Sequence, residues 1–437
     1  MSKNYRIRRF LAPARGFRKA VVVVLVGLSC ILVGAGLSFK PLILPLLERF
    51  GALSSKVLAL VVPQDNLEEA RHLLGGVFLL LGLYLIFSGA RAAIRHVFNT
   101  VNPEMKGGVV DRYRKRQQLA HGPNIVALGG GTGLGTLLRG LKQHSSNITA
   151  IVTVTDDGGS SGRLSQEKGI IPPGDIRNCL VALADAEKSM TDLFQHRFTR
   201  ESGSLSGHSM GNLLIAALVD QAHGDFEKAI EIASDVLAIR GRVVPSTLNN
   251  VRLRAVMEDG IEICGETKIV ESGRRVRRIF LDPESCEPHR SALEAIAEAD
   301  LICIGPGSVY TSVIPNILVP GIATALASSD AKKAYICNVM TQRGESDSFT
   351  ASEHVTALQA SIDQKIFDYV LLNTAMPSTQ AIEKYREAGQ FLVEADVDRV
   401  RAMGYRVIAG DFMNESDLVR HDPMKVAARL LALVNKR

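Results

Sequence analysis

The strongest constraint on the fold is a glycine-rich turn that directly follows a short apolar run, NIVALGGGTGLG at residues 124–135. A strand, glycine loop and helix in this order expose backbone N–H groups and a helix N-terminus, and both attract phosphate. The dinucleotide fingerprint needs glycines at relative positions 1, 3 and 6, but the sixth position is Leu134 or Thr136. A P-loop also fails, because no lysine follows the last glycine. The turn therefore predicts either another kind of phosphate loop or a simple tight turn, formed by Gly129, Gly130, Gly131, Thr132 and Gly133.

From residue 124 onward, apolar runs rich in β-branched residues alternate with amphipathic helical patterns. Continuous apolar strands separated by such helices are typical of a mostly parallel sheet covered on both faces. We therefore predict a Rossmann-like α/β domain, with a small antiparallel insertion at residues 240–290. The predicted strands are 124–128, 148–155, 300–305, 333–338, 369–373 and 405–410, and the predicted helices are 134–143, 211–222, 225–238, 291–299 and 423–435.

The second predicted strand ends in two acids and another glycine-rich segment, TDDGGSSGRL. Ligands of open α/β sheets bind beyond the carboxyl ends of the strands. Carboxylates at that position suit a ribose hydroxyl, a sugar or Mg²⁺, and the glycine-serine segment suits phosphate. A turn or capping role is the alternative for such a cluster. The candidate residues are Asp156, Asp157, Gly158, Gly159 and Ser160, and the first two are also the candidate metal ligands.

Further segments place small, hydroxyl, amide or acidic residues where a nucleotide-sized ligand would lie. They are IPPGDIRN at 171–178, LSGHSMGN at 205–212, CIGPGSVYTSVIPN at 303–316 and the end of the strand before Asn338. We interpret His208 as structural. No G-x-S-x-G elbow, HExxH or kinase signature occurs, so catalytic residues stay unassigned. The candidate binding residues are Asp175, Arg177, Asn212, Gly305, Gly307, Ser308, Tyr310, Thr311 and Asn338.

Two charge-free apolar stretches, residues 20–39 and 73–90, precede this domain. Each is about long enough to cross the roughly 30 Å core of a bilayer as a helix. The first is longer than the apolar region of a signal peptide, and no convincing cleavage site follows it. The outer flanks are basic, whereas residues 40–72 balance four basic residues against four acids. The positive-inside rule therefore predicts a transmembrane hairpin in the inner membrane with both ends cytoplasmic.

The predicted organisation is a membrane anchor at 1–99, a basic linker at 100–121 and a cytoplasmic domain at 122–437. Residues 1–19 hold seven Lys and Arg and no acid. The formal net charge of +6 therefore reflects basic residues beside the predicted membrane spans rather than a nucleic-acid-binding surface. We therefore predict no nucleic-acid partner. The six cysteines include no Cys-x-x-Cys pair, which argues against a zinc site or a disulfide framework and fits a reducing compartment.

Five long segments occur in the order GGGTGLGTLLRGLK, TVTDDGGSSGRL, PPGDIRNCLVALA, HSMGNLLIAAL and DLICIGPGSVYTSVIPNILV. In this order they resemble the gluconeogenesis-factor family. That family is a branch of the CofD-like superfamily, which is named for 2-phospho-L-lactate transferase. The resemblance covers about residues 122–437, and the predicted hairpin departs from the usual soluble form of the family.

The resemblance implies a Rossmann-like fold that binds a UDP-sugar such as UDP-N-acetylglucosamine, with a role in carbon partitioning and cell-wall shape. In the transferase branch it implies Mg²⁺ and attack by an alcohol on a guanosine diphospho-lactate donor. Carried over by motif position, it implies phosphate at Gly130, Gly131 and Thr132, a metal or sugar at Asp156 and Asp157, and a pocket completed by Asn212 and residues 305–308.

Three functions therefore stay open. The first is a membrane-anchored, UDP-sugar-binding regulator whose partners are cell-wall synthesis proteins or a second copy of the chain. The second is a Mg²⁺-dependent phosphotransferase of the 2-phospho-L-lactate transferase type. The third is a nicotinamide oxidoreductase, which the fingerprint spacing disfavours.

Overall fold

The computed structural model describes residues 117–434 except 187, 363, 416 and 417, together with six isolated positions before residue 100. The continuous part belongs to one of two units of the chain, Val110–Arg437. The predicted spans 20–39 and 73–90 lie outside the described residues, apart from two isolated positions. Within the described part, no single helix has the length and apolar composition needed to cross a bilayer. Two successive helical segments with an 82° bend between them, Val309–Leu318 and Ile322–Ser328, meet that requirement only together.

A seven-stranded parallel sheet forms the centre of the domain. The strands, in chain order, are β1 Ile125–Gly129, β2 Ile148–Val152, β3 Arg242–Pro245, β4 Arg252–Met257, β5 Glu262–Cys264, β6 Val276–Asp282, β7 Leu301–Ile304, β8 Lys332–Ile336, β9 Tyr369–Asn373, β10 Arg406–Gly410, β11 Met413–Glu415 and β12 Val419–His421. The main sheet has the order β10-β9-β8-β7-β1-β2-β3, and every neighbouring pair is parallel. This is the doubly wound order of a Rossmann-like domain, so the predicted fold class of this domain is confirmed.

Helices cover both faces of this sheet. In chain order they are α1 Gly131–Leu141, α2 Gly159–Lys168, α3 Gly174–Leu183, α4 Lys188–Gln195, α5 Met210–Gln221, α6 Phe226–Leu237, α7 Glu266–Glu271, α8 Arg290–Ala297, α9 Ile314–Leu318, α10 Ile322–Ser328, α11 Ala351–Ala360, α12 Thr379–Glu387, α13 Val397–Ala402 and α14 Pro423–Leu431. A π-helical turn, Val309–Val313, leads directly into α9. Every residue of β1, β2 and β7 is buried, as expected for parallel strands that lie between two helical layers.

The segment between β3 and β7 forms a separate small sheet. Strands β5, β4 and β6 pair in that order and are antiparallel, which confirms a small antiparallel sheet within the predicted segment 240–290. Residues 242–245 of that segment instead form β3, the edge strand of the main sheet, which is parallel to β2. Helix α7 lies within this insertion, between β5 and β6. The insertion matters for the site because α7 carries Glu266 and Thr267 to the carboxyl ends of the main strands.

Three segments predicted as loops begin helices instead. Residues 158–162 open α2, residues 171–178 open α3, and residues 303–316 contain the π-helical turn and the start of α9. Glycine, serine and proline favour turns, but they are also common at the N-cap and first positions of helices. Their composition therefore marked the ends of strands correctly without revealing the helices that start there.

Helix α14 crosses α1 at very close range. A Cβ atom added to Gly140 of α1 would lie 1.9 Å from the carbonyl oxygen of Pro423 and 2.6 Å from its carbonyl carbon. Only a residue without a side chain allows the first turn of α14 to approach this close. The contact fixes the C-terminal helix against the helix that follows the glycine loop.

We predict that Gly140→Ala destabilises the domain by about 1–3 kcal/mol, the usual cost of overpacking, because α14 must move. Gly135→Ala in the same helix is the matched control. Its Cβ would lie 3.5 Å from the carbonyl oxygen of Asn178, an ordinary contact, so the variant keeps the roughly 1 kcal/mol advantage of alanine in a helix. Denaturant unfolding of both variants measures the difference, and equal stabilities would contradict this packing.

Candidate functional site

The candidate site lies at the carboxyl ends of β1, β2 and β7, where the sheet changes its winding direction. The chain leaves β1 toward β2 through α1, and it leaves β7 toward β8 through the π-helical turn. The two connections diverge and open a crevice between them. In open α/β sheets this switch point is the usual place for a ligand.

The walls of the crevice are two backbone loops that touch each other. A Cβ atom on Gly133 would lie 2.6 Å from the carbonyl oxygen of Pro306 and 3.2 Å from the Cα of Gly307. Asn338, just after β8, accepts a hydrogen bond from the Gly307 N–H at 3.2 Å and donates one to the Gly307 carbonyl at 2.9 Å. Asn316 donates to the carbonyl of Gly129 at 3.0 Å. Two asparagines therefore hold both loops in place.

The glycine loop after β1 leads into the N-terminus of α1. Gly130 is the N-cap residue in an extended conformation, and Gly131 has a φ of 61°, which favours glycine. The side chain of Thr132 is exposed, and no acidic residue lies in the first turn of α1. The N–H groups of a first helical turn have no partner inside the helix. The backbone N–H of Gly131 hydrogen-bonds the Asp175 carboxyl, so the donors left for a ligand at the start of α1 are those of Thr132 and Gly133.

A series of contacts connects the N-terminus of α1 to α3, that of α3 to α2, and that of α2 to α5. A Cβ on Gly130 would lie 2.5 Å from Oδ2 of Asp175, in the first turn of α3. The first N–H of α3, on Gly174, donates to the hydroxyl of Ser161 in α2 at 2.9 Å. In turn, Asn212 in the first turn of α5 donates through Nδ2 to Ser160 Oγ at 3.1 Å. The positive ends of α1, α2, α3 and α5 therefore converge on one place.

Ser160 is the centre of a buried hydrogen-bond network. Its Oγ lies 3.1 Å from Nδ1 of His208 and accepts hydrogen bonds from Asn212 Nδ2 and from the N–H of Ser209. His208 is only 5% exposed, and burial lowers its pKa, so the imidazole is neutral near pH 7. With three partners, the Ser160 hydroxyl is fully engaged. It fixes α2 against α5 and leaves the backbone of α2 to face a ligand.

Four of the predicted binding residues have polar groups that contact other protein groups. Asp157 accepts hydrogen bonds from the N–H and the hydroxyl of Thr267, at 2.9 and 2.7 Å, and so caps α7. The hydroxyl of Thr311 donates to Glu345 at 2.8 Å, and the backbone N–H groups of Tyr310 and Thr311 also face this carboxylate. The Ser308 hydroxyl contacts Glu345 as well. The carboxyl group of Glu345 therefore takes the position at the N-terminus of the π-helical turn where an external anion could otherwise bind.

The crevice is strongly acidic. Burial, together with the charge of Asp156, raises the pKa of Asp175 to about 7. Burial raises the pKa of Glu345 to about 7, and it raises the pKa of Glu266 well above its usual range. Burial and the charge of Asp157 also raise the pKa of Asp156. A cation bound beside these carboxyls would favour their charged forms and lower the raised pKa values.

The buried polar atoms without a hydrogen-bond partner among the described residues include Nε of Arg177 and Oδ1 of Asn212 in the crevice. Such orphaned atoms are rare and are usually met by water or a ligand. Both belong to residues predicted from the sequence as binding residues. The guanidinium of Arg177 also lies beside Asp175 and Asp156, whose charges act on its pKa.

The acids of the crevice do not form a preorganised metal-binding site. Across the part of the chain that the structure describes, no three His, Cys, Asp or Glu side chains lie close enough together to hold a metal ion. Mg²⁺ commonly uses only one or two carboxylates and takes its other ligands from water and phosphate. The oxygen donors of Asp156 and Asp175 fit that pattern.

Three residues of the crevice are not among those predicted from the sequence, namely Glu266, Thr267 and Glu345. Glu266 reaches the crevice from α7, and its Oε2 lies 3.4 Å from the Thr155 hydroxyl. Glu345 follows β8 in the segment TQRGE, which also contains the buried Thr341. Neither glutamate stands in a glycine-rich segment or at a predicted strand end. No local signal marks them.

These features define a doubly wound α/β protein with the Rossmann-like fold of nucleotide-binding proteins. The family described as 2-phospho-L-lactate transferase CofD matches residues 125–413. This chain therefore belongs to the CofD family.

Its relatives include proteins named gluconeogenesis factor. The Bacillus subtilis gluconeogenesis factor is 48% identical over 315 residues, which cover 72% of this chain and 99% of that protein. A putative gluconeogenesis factor from Nostoc sp. is 46% identical and covers 82% of this chain and 79% of that protein. A crystal structure of a UPF0052-family protein from Bacillus halodurans matches with a TM-score of 0.68 at 48% identity. That match covers 71% of this chain and 99% of the other.

The raised pKa of Asp175 predicts a pH-dependent stability. An unfolded aspartate loses its proton near pH 4, whereas folded Asp175 keeps it to about pH 7. Its contribution to stability is therefore complete below about pH 4 and is lost as the pH rises to about 7. We expect Asp175→Asn to remove this loss. The melting temperature of the variant minus that of wild type should therefore be larger at about pH 8 than at about pH 5.

The control is Asp235→Asn, which changes an exposed aspartate of α6. Its difference from wild type should be the same at both pH values. Thermal unfolding followed by circular dichroism measures both variants. A difference between Asp175→Asn and wild type that does not change with pH would contradict the burial of this carboxyl.

Proposed function

We propose that this protein is a membrane-anchored regulator that binds a UDP-sugar resembling UDP-N-acetylglucosamine and connects carbon metabolism to cell-wall synthesis and cell shape. The observation that carries the proposal is the convergence of the N-termini of α1, α2, α3 and α5 in one crevice. Helix N-termini bind phosphate through unpaired N–H groups and the helix dipole. A diphosphate is the ligand group that uses several of them together.

The acids of the crevice suit the sugar and ribose of such a ligand. Carboxyls with a pKa near 7 either accept a hydrogen bond from a hydroxyl or, when protonated, donate one. Asp175 and Asp156 lie beside the phosphate loop, and Glu266 approaches from α7. The orphaned Asn212 Oδ1 and Arg177 Nε offer a further acceptor and donor for the ligand.

Regulation rather than catalysis is supported by the state of the one Ser–His pair in the crevice. Ser160 is only 3% exposed and His208 only 5%, so a substrate cannot reach the hydroxyl although it lies 3.1 Å from the imidazole. The relatives from Bacillus subtilis and Nostoc sp. carry the name gluconeogenesis factor. That name agrees with a role in metabolic control.

We place the protein in the inner membrane, with the predicted hairpin as its anchor and the domain in the cytoplasm. The charge pattern of residues 1–116 supports this orientation. The alignment with the Nostoc protein covers 82% of this chain, which is more than residues 117–437 contain, so the similarity extends upstream of the described domain. Cell-wall synthesis proteins and a second copy of this chain are the proposed partners.

The test is isothermal titration of the full chain in detergent with UDP-N-acetylglucosamine. Thr132→Glu places a negative charge in the first turn of α1, which should repel the diphosphate and weaken binding at least tenfold, or about 1.4 kcal/mol. The fold should not suffer, because an acid in the first turn of a helix interacts favourably with its dipole. Wild type is expected to bind one ligand per chain.

Thr379→Glu is the matched control, because Thr379 is also exposed and lies in the first turn of α12, which follows β9, three strands away from β1. It should bind like wild type. If the wild-type chain does not bind UDP-N-acetylglucosamine, or if both variants lose affinity alike, the proposal is wrong.

A second candidate function is phosphotransfer from a nucleotide-diphosphate donor. It is supported by the match to a family named for 2-phospho-L-lactate transferase and by the two carboxyls beside the phosphate loop. Asp156 and Asp175 would hold Mg²⁺, which neutralises charge on a diphosphate when bound. An alcohol oxygen of the acceptor would bond to the donor phosphorus, the bond to the bridging oxygen would break, and nucleoside monophosphate would leave. The hydroxyl proton would pass to solvent water.

The second function predicts Mg²⁺-dependent release of nucleoside monophosphate from a panel of nucleotide-diphosphate donors. Asp156→Asn should abolish the release, whereas the exposed control Asp235→Asn should not change it. Chromatographic detection of the nucleotide measures both. A protein that is inert toward the whole panel would leave binding as the only function.

A further inference from the structure

A second group of charged residues lies at the opposite edge of the sheet, where β8, β9 and β10 begin. It surrounds a cavity of about 420 Å³, whose charged lining consists of Lys332, Lys333, Lys365, Arg406, Asp330 and Asp368. A five-residue strand such as β8 is roughly 16 Å long, at about 3.3 Å per residue. The cavity is therefore separate from the crevice at the carboxyl ends of the strands.

The charges of this cavity are not paired with one another. Among the residues that the structure describes, none of the six forms an ion pair. Lys333 donates instead to the carbonyl of Ser329 at 2.8 Å, and Lys365 donates to the carbonyl of Gly404 at 3.2 Å. These carbonyls satisfy the hydrogen bonds of the two ammonium groups but do not neutralise their charge.

Burial makes an unneutralised charge costly at Lys333, whereas Lys332, Lys365 and Arg406 are exposed. Lys333 is only 8% exposed, and buried lysines are rare unless they are paired with an opposite charge. Four cations against two acids leave an excess of two positive charges around the cavity. An anion in the cavity would supply the missing charge.

Aromatic rings and the sheet register hold two of the cations in place. The Arg406 guanidinium lies 5.7 Å from the centre of the Tyr369 ring and donates to the Tyr369 hydroxyl at 3.1 Å. The two residues are direct neighbours in the register of β9 and β10. Lys365 lies 5.1 Å from the centre of the Tyr405 ring. These contacts position Arg406 and Lys365 but do not neutralise their charges.

Capping of helix ends explains only part of this cluster. Lys333 and Lys365 interact with carbonyls near the ends of α10 and α13, where cations are favourable. The side-chain ammonium of Lys332 has no hydrogen-bond partner among the described residues. Within the same part of the chain, the guanidinium of Arg406 donates to the Tyr369 hydroxyl, and its other N–H donors can bind a ligand.

We propose that this cavity is a second binding site, which takes a small dianionic phosphate such as a phosphomonoester. Lys332 and Arg406 bind its oxygens, and Lys333 supplies the buried positive charge behind them. The excess of two positive charges matches a dianion. Arginine binds phosphate oxygens in a bidentate manner, and lysine adds a point charge. A cavity of this size falls in the range of small-molecule sites.

The test is ³¹P NMR line broadening of inorganic phosphate by the full chain in detergent, at about pH 8. Lys332→Gln/Arg406→Gln should weaken phosphate binding at least tenfold. The control Lys188→Gln/Arg277→Gln removes the same charge from two exposed positions outside the cavity, and it should bind like wild type. Lys332→Gln alone breaks no contact of the fold and should still weaken binding about threefold or more.

Two outcomes would overturn the proposal. One is unchanged phosphate affinity in both cavity variants, or an equal loss in the control. The other is displacement of phosphate by dihexanoylphosphatidylglycerol, a monoanionic phosphodiester, as readily as by a phosphomonoester. Titration of Lys332→Gln/Arg406→Gln with UDP-N-acetylglucosamine should match wild type, because the crevice is unchanged. Failure of this proposal is therefore distinguishable from failure of the proposed function.

Discussion

Close packing between two backbone loops is the contact on which the rest of the crevice depends. Residues 129–133 after β1 and residues 305–308 after β7 meet so tightly that a Cβ on Gly133 would lie 2.6 Å from the Pro306 carbonyl oxygen. This packing brings the N-terminus of α1 to the switch point of the sheet and lets Asp175 lie against Gly130. The contacts of α3 with α2, and of α2 with α5, then complete the convergence of helix ends.

The crevice balances two opposing electrostatic features. Four helix N-termini create a positive potential from backbone dipoles, whereas Asp156, Asp175 and Glu266 add carboxyls whose pKa values are raised by burial. A ligand with both a diphosphate and hydroxyl groups satisfies both features. A phosphate loop lined by lysines would bind nucleotides by charge alone, and this crevice does not use that arrangement. The opposite edge of the sheet does present lysine and arginine, which is why we assign a different anion to it.

The sequence predicted the sheet well because parallel strands buried on both faces are continuous apolar runs. Residues 369–373, for example, form β9 with the predicted bounds. The strand ends that bear ligand-type residues were also located, since glycine and acidic residues follow them directly. Glu266 and Thr267 could not be predicted, because they reach the crevice from an insertion about one hundred residues further along the chain. The bond between Thr267 and Asp157, for instance, spans 110 residues. Contacts of this kind depend on tertiary packing and leave no local pattern.

The central claim is that backbone N–H groups at the starts of α1 and α2 bind the diphosphate of a nucleotide-sugar. Hydrogen–deuterium exchange of the full chain, with and without UDP-N-acetylglucosamine, tests it most directly because it reports on those amides. Exchange should slow in residues 130–134 and 158–161 when the ligand is present, with little change at the starts of β8, β9 and β10. Unchanged exchange in both segments at a saturating ligand concentration would contradict it.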